Sequence, residues 1–114
     1  MILQQIVDKL GLKPIAGFHR LSAEVTGGYV SDLLSDVMAN AKAGHLWVTL
    51  QTHQNIVAVA SLKEMAGIVL IGGKEPEKQT VAKAEAENIP ILLSQDLAFE
   101  LVGKLYQMGI SGRI

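Results

Sequence analysis

A chain of 114 residues with 49% apolar and 18% charged side chains has the length of one domain and enough apolar material for a core, which excludes a disordered segment. A net charge of −1 with no run of Lys or Arg excludes the electrostatic footprint of a duplex binder, and 4% aromatics are too few for a stacking platform for single strands. The absence of cysteine excludes a disulfide framework and any thiolate metal site, and no stretch approaches the ~20 apolar residues of a membrane helix.

The opening MILQQIVDKLGL has no basic leader and is interrupted by Asp8 and Lys9. The expectation is one soluble, cytoplasmic domain over residues 1–114, with neither nucleic acid nor membrane as partner. Residues 2–10 place Ile2, Leu3, Ile6, Val7 and Leu10 at helical spacing, and Gly11 can terminate the helix. A short extended piece follows at 14–17. Residues 18–30 read as a loop with strand fragments at 23–25 and 29–30.

From Ser31 the helical period predicts a helix, capped by Ser31, with Leu33, Leu34, Val37, Met38 and Ala41 on one face and Gly44 as its stop. HLWVTLQ (45–51) is bulky and β-branched, hence a strand. Residues 54–67 form a helix that is apolar on most sides. Residues 68–73, IVLIGG, are a continuous apolar run of the kind a central parallel strand needs. Residues 75–88 are a polar surface helix, 89–94 a strand, 95–109 a closing helix and 110–114 a frayed tail. The alternation from residue 45 onward predicts an α/β fold of three layers, with a mostly parallel sheet and helices on both faces.

In such a sheet, ligands favour the crevice beyond the carboxyl ends of the strands. The loops at 51–55, 71–77 and 93–96 occupy that edge and lead into helix N-termini, which favour anions. Candidate ligand contacts there are Thr52, His53, Gln54, Asn55, Gly72 and Gly73, joined by Thr26, Gly27 and Gly28 if the first half of the chain folds back over the sheet. Each has a plainer reading: Thr52 or His53 as an N-cap region, and the glycine pairs as tight turns.

The phosphate-loop pattern fails at "GIVLIGGKE", because Gly73 stands where lysine belongs and no Ser or Thr follows Lys74. The dinucleotide fingerprint G-x-G-x-x-G is also missing. Asp32 and Asp36, four apart on the expected helix, could hold magnesium but read better as a solvated face. His19 and His45 read as surface residues. Ser94 and Asp96 are natural caps, and no nucleophile–base–orienter set is present. The expectation is no catalytic residue, no metal and no cofactor.

The segments "EVTGG", "LLSDVMANAKAGHLWVTLQTHQNIVAVASL" and "AGIVLIGGKEPE" resemble the DRTGG domain family over about residues 10–110. Glu24, Val25, Thr26, Gly27 and Gly28 stand at the five positions of the name, so a positive charge is lost at Val25. The resemblance implies a small α/β module, often inside larger proteins: between CBS domains in some pyrophosphatases, and as a middle domain of certain phosphate acetyltransferases. It implies a regulatory, dimer-forming piece similar to the non-catalytic N-terminal domain of HPr kinase. The functional expectation is a regulatory module that self-associates as a homodimer and can take a protein partner. The alternative is a sensor of a nucleotide or other phosphorylated anion at the strand ends.

Overall fold

Local hydrophobic pattern decides most of the second half of the chain. In the computed structural model, which describes residues 1–113, strands β1 (Lys13–Ala16), β2 (Gly27–Val30), β3 (His45–Thr49), β4 (Gly67–Leu70) and β5 (Ile91–Leu93) form one sheet in the order β1-β5-β4-β3-β2. β2, β3, β4 and β5 run parallel, and β1 joins β5 antiparallel. The helices are α1 (Leu3–Leu10), α2 (Leu34–Asn40), α3 (Asn55–Leu62), α4 (Lys78–Glu87) and α5 (Ala98–Gln107), with a 3-10 turn at Phe18–Arg20.

Both faces of the sheet are covered, so β3, β4 and β5 are buried at every position, and all their residues are apolar except His45 and Thr49 at the two ends of β3. Leu46, Val48, Val69 and Leu92 pack with Leu3, Ile6 and Val7 of α1 and Leu101 and Leu105 of α5. Trp47, Ile68, Leu70 and Ile91 pack on the opposite side with Val37 of α2, Ile56, Val57 and Ala60 of α3, and Ala84 of α4. The alternation along β3 and β4 is the period of two that a strand imposes. Each large side chain removed from water contributes roughly 1.5–3 kcal/mol. Three layers result, as the strand–helix alternation predicts.

Several boundaries are shorter than the apolar period suggests. α2 starts at Leu34 rather than Ser31, because the Ser31 hydroxyl accepts from Leu33 N–H at 3.1 Å and holds a turn ahead of the helix. α3 stops at Leu62, and Glu64 adopts the left-handed φ of 55° that turns the chain into β4. Pro76 keeps Glu75 out of the helical region, and α4 begins only after an extended Glu77. α5 begins at Ala98, since Ser94 to Leu97 are used as a connecting turn.

Three expectations fail outright, each for a reason of tertiary contact. His45 is not a surface residue: it is 1% exposed, its Nδ1 accepts from Lys42 N–H at 3.2 Å, and its ring stacks on Tyr29 with centroids 6.5 Å apart. Of the tail expected to fray over 110–114, Ile110 joins the core under α5, Ser111 C=O accepts from Gly28 N–H at 3.0 Å on the outer edge of β2, and Ser111 Oγ accepts from Arg113 N–H at 3.3 Å, while residue 114 lies outside the described residues. Gly27 and Gly28 are not a turn but the first two residues of β2. A Cβ on Gly27 would lie 2.8 Å from Ser111 O and 3.0 Å from the His45 ring, so this glycine makes room for both.

Candidate functional site

The parallel register decides which candidate residues can meet. Gly27 pairs with His45 and Gly28 with Leu46, at the start of β3, whereas Thr52–Asn55 and Gly72–Gly73 follow the ends of β3 and β4. Thr26, Gly27 and Gly28 therefore lie at the amino end of the parallel strands, and the condition for their joining the other loops, that the first half of the chain fold back over the carboxyl edge, is not met. Thr26 serves local structure there. Its N–H donates to Gly44 C=O at 3.0 Å and its hydroxyl to Ala43 C=O at 3.2 Å.

At the carboxyl edge, Thr52, His53, Gln54, Asn55, Gly72 and Gly73 are brought to one side of the molecule. His53, Gln54, Asn55 and both glycines are exposed. Much of their backbone is already committed. Gly72 N–H donates to Asp96 C=O at 2.8 Å and Gly73 N–H to Ser94 C=O at 2.9 Å, so neither amide is aimed at a ligand. Both glycines have left-handed φ, 66° and 70°, which makes them the strand-to-helix turn of the plainer reading. Thr52 C=O accepts from the Thr80 hydroxyl at 2.7 Å, and His53 Nδ1 accepts from Asn55 N–H at 3.1 Å, as an N-cap region does. The exposed polar residues there include Gln54 and Asn55, the cations Lys74 and Lys78, and between them the carboxylates Glu75 and Glu77.

The neighbouring loop is built around a carboxylate. Asp32 Oδ1 accepts from the Thr49 hydroxyl at 2.8 Å and from Leu50 N–H at 2.7 Å, while Gln51 Nε2 donates to Asp32 C=O at 2.8 Å. Asp32 precedes α2, so it does not share a helix face with Asp36. The Asp36 carboxylate instead accepts from the Tyr29 hydroxyl at 2.9 Å and from Asn40 Nδ2 at 2.9 Å. The expected carboxylate pair is thus two separate structural clasps, and among the described residues no three His, Asp or Glu side chains gather into a metal-binding group.

The second clasp sets a pH dependence. Hydrogen bonds from Ser31, Asn40 and Tyr29 hold the Asp36 carboxyl below its ordinary range. Burial, and then the Asp36 hydrogen bond and charge, push the Tyr29 phenol up. Asp36 therefore adds stability above its unfolded pKa that is lost as pH falls through the lowered folded value. Tyr29 adds stability that is fully present below about pH 10 and lost as pH rises through its raised value. Lys104, raised by its 2.7 Å pairing with Asp96, acts in the same alkaline window. Urea denaturation at stepped pH should show Tyr29→Phe with a shallower alkaline loss than the wild type. Identical slopes would refute the assignment.

Sequence reasoning missed an apolar surface beside β2 and α5. On the far side of β2, Val30 and the outer face of α5 border a groove of about 590 Å³, lined also by Ala98, Val102, Gly103 and Tyr106. It continues into a smaller hollow of about 130 Å³ against Gly28 and the Ile110–Gly112 segment. Phe99, Tyr106 and Val30 are all exposed here. The available signal was the spacing 99, 102, 103, 106, a second stripe on α5 beside the one that Leu101 and Leu105 bury.

No family model matches the chain, and no curated protein matches it in sequence. Among the solved structures, the fold is similar to that of the CBS and DRTGG domains of the regulatory region of Clostridium perfringens pyrophosphatase, complexed with its activator diadenosine tetraphosphate. The TM-score is 0.70 at 16% identity over 90% of this chain, which spans only 44% of that one. The likeness is one of fold: a five-stranded, mostly parallel α/β sheet compatible with a DRTGG-type domain.

Proposed function

We propose that this chain is a single DRTGG-type regulatory module without catalytic residues of its own, which works through association and forms a homodimer in the cytoplasm. The observation that carries this reading is the uncharged surface from Val30 across the groove to Phe99 and Tyr106. A continuous apolar patch on a small soluble domain marks a contact surface, since leaving it wet is unfavourable. The regulatory setting of the pyrophosphatase region supports the same direction. No described helix is long and apolar enough to cross a membrane, so that patch is not the flank of a spanning helix. Light scattering after gel filtration should return a mass about twice 12.2 kDa at micromolar concentration. A mass of one chain would refute self-association.

A second reading has one specific support, the diadenosine tetraphosphate bound by the pyrophosphatase region. In that reading a nucleotide or another phosphorylated small molecule docks at the carboxyl edge, against Thr52–Asn55 and the Gly72–Gly73 turn, with Lys74 and Lys78 supplying positive charge beside the carboxylates of Glu75 and Glu77. Thermal shift with diadenosine tetraphosphate, ATP and AMP tests it. A ligand at 100 times its dissociation constant should stabilise the fold by about 2.7 kcal/mol. An unmoved melting temperature with all three would remove the sensor.

A further inference from the structure

We propose that the homodimer forms about a two-fold axis passing between Val102 and Gly103, with the two copies of α5 packed antiparallel. This rests on the self-association reading above and adds the surface and its geometry. Phe99, Val102, Gly103 and Tyr106 occupy positions i, i+3, i+4 and i+7 of one helix, and so form a single outward stripe. An antiparallel two-fold between Val102 and Gly103 maps this stripe onto itself. Phe99 then faces the second copy's position 106, while Val102 and Gly103, on opposite sides of the stripe, each sit beside their own symmetry mates. An isologous interface requires this self-complementarity.

The shapes agree with the pairing. Phe99 is 90% exposed and stands at the lip of a groove lined by Val30, Ala98, Val102, Gly103 and Tyr106. One face thus carries both a protruding ring and an apolar recess, and a two-fold places each ring at the other copy's recess. Gly103 lies where the helices cross. A Cβ there would meet nothing within 4 Å, so its own fold does not need the glycine, whereas helices packed 8–10 Å apart gain from a small residue at the crossing.

Charge agrees as well. No charged side chain lines the groove, so its occupant is apolar. Glu100 and Lys104 flank the stripe together on its other side, where they line a shallow surface with Gln107. Antiparallel packing brings like flanks together, so Glu100 of one copy lies on the same side as the other's Lys104, whose ammonium is already held by Asp96 of its own chain at 2.7 Å. A second copy of this chain offers the uncharged stripe that this face requires, and its Lys104 is neutralised by its own Asp96 rather than left as an unpaired charge beside the seam.

The chain has no cysteine, so a single introduced thiol can oxidise only with its own copy. Gly103→Cys sits about one residue rise, ~1.5 Å along the helix, from its symmetry mate and should oxidise to a disulfide-linked dimer. Leu62→Cys on α3, also an exposed position at 71%, should remain reduced under the same conditions. Phe99→Glu should halve the mass seen by light scattering with an unchanged circular dichroism spectrum. A monomeric wild type would overturn the self-association reading itself, and this geometry with it. A dimeric wild type whose Phe99→Glu variant stays dimeric, or which crosslinks through Leu62→Cys and not Gly103→Cys, would overturn the geometry alone.

Discussion

Gly17→Ala should cost about 3–4 kcal/mol, a large part of the 5–15 kcal/mol that holds a domain together. Two effects coincide at this position. Gly17 has a left-handed φ of 68°, and a Cβ there would lie 2.3 Å from Ile89 C and Pro90 N and 2.5 Å from Ile89 O. All three are backbone atoms on the approach to β5 and cannot rotate away. Gly17 N–H also donates to Glu85 Oε1 at 2.7 Å, tying the end of β1 to α4. Gly11→Ala is the natural control, because Gly11 has nearly the same φ, 63°, and nothing within 4 Å of its Cβ. Its cost should be about 1–2 kcal/mol, that of left-handed backbone alone. Urea midpoints of the two variants, at equal slope, separate crowding from backbone strain. Equal losses would refute the close approach of Gly17 to β5.

Trp47→Ala should cost about 3–5 kcal/mol, the range for deleting a buried aromatic. Trp47 is fully buried in β3, among α2, α3 and the central strands. Its Nε1–H donates to Ser31 C=O at 2.8 Å and so pins the loop in which Asp32 holds Thr49 and Leu50. Trp47→Phe keeps most of the packing and removes that donor. It should cost about 1–2 kcal/mol and speed amide exchange at Leu33 and Leu50, while leaving the β4 amides protected. Exchange that rises uniformly through the sheet would show that Trp47 acts only as core.

These variants also mark where local pattern was sufficient. The run 68–71 reads as a buried strand because every residue in it is apolar and β-branched or leucine, and it lies at the centre of the sheet with both faces covered. α1 and α5 follow from their apolar periodicity, and Gly11 ends α1 in the left-handed conformation that the sequence suggests. The turn reading of Gly72 and Gly73 holds as well, since both adopt positive φ. The other pair, Gly27 and Gly28, looks the same in sequence and does something else. The space that Gly27 leaves is taken by His45 and Ser111, residues 18 and 84 positions away.

The same distance effect separates the candidate residues. Whether Thr26–Gly28 meets Thr52–Asn55 depends on the direction and register of β2 against β3, and only the pairing of Gly27 with His45 reveals them. β1 and β2 reach opposite edges of the sheet, one antiparallel and one parallel, although only ten residues of chain lie between them. Ile110 and Ser111 have no apolar period of their own. They are held by α5 and by the unpaired edge of β2, so nothing nearby in the chain announces their order.

By itself, the sequence determined the α/β class, the strands and helices from residue 45 onward and the lack of a phosphate-loop pattern, because these depend on side chains a few residues apart. Only the tertiary structure decided that the two glycine pairs sit at opposite ends of the sheet, that His45 is core, and that the Phe99–Tyr106 stripe stays uncovered. Each of those outcomes depends on which distant segment occupies the adjoining space, and periodicity carries no record of that.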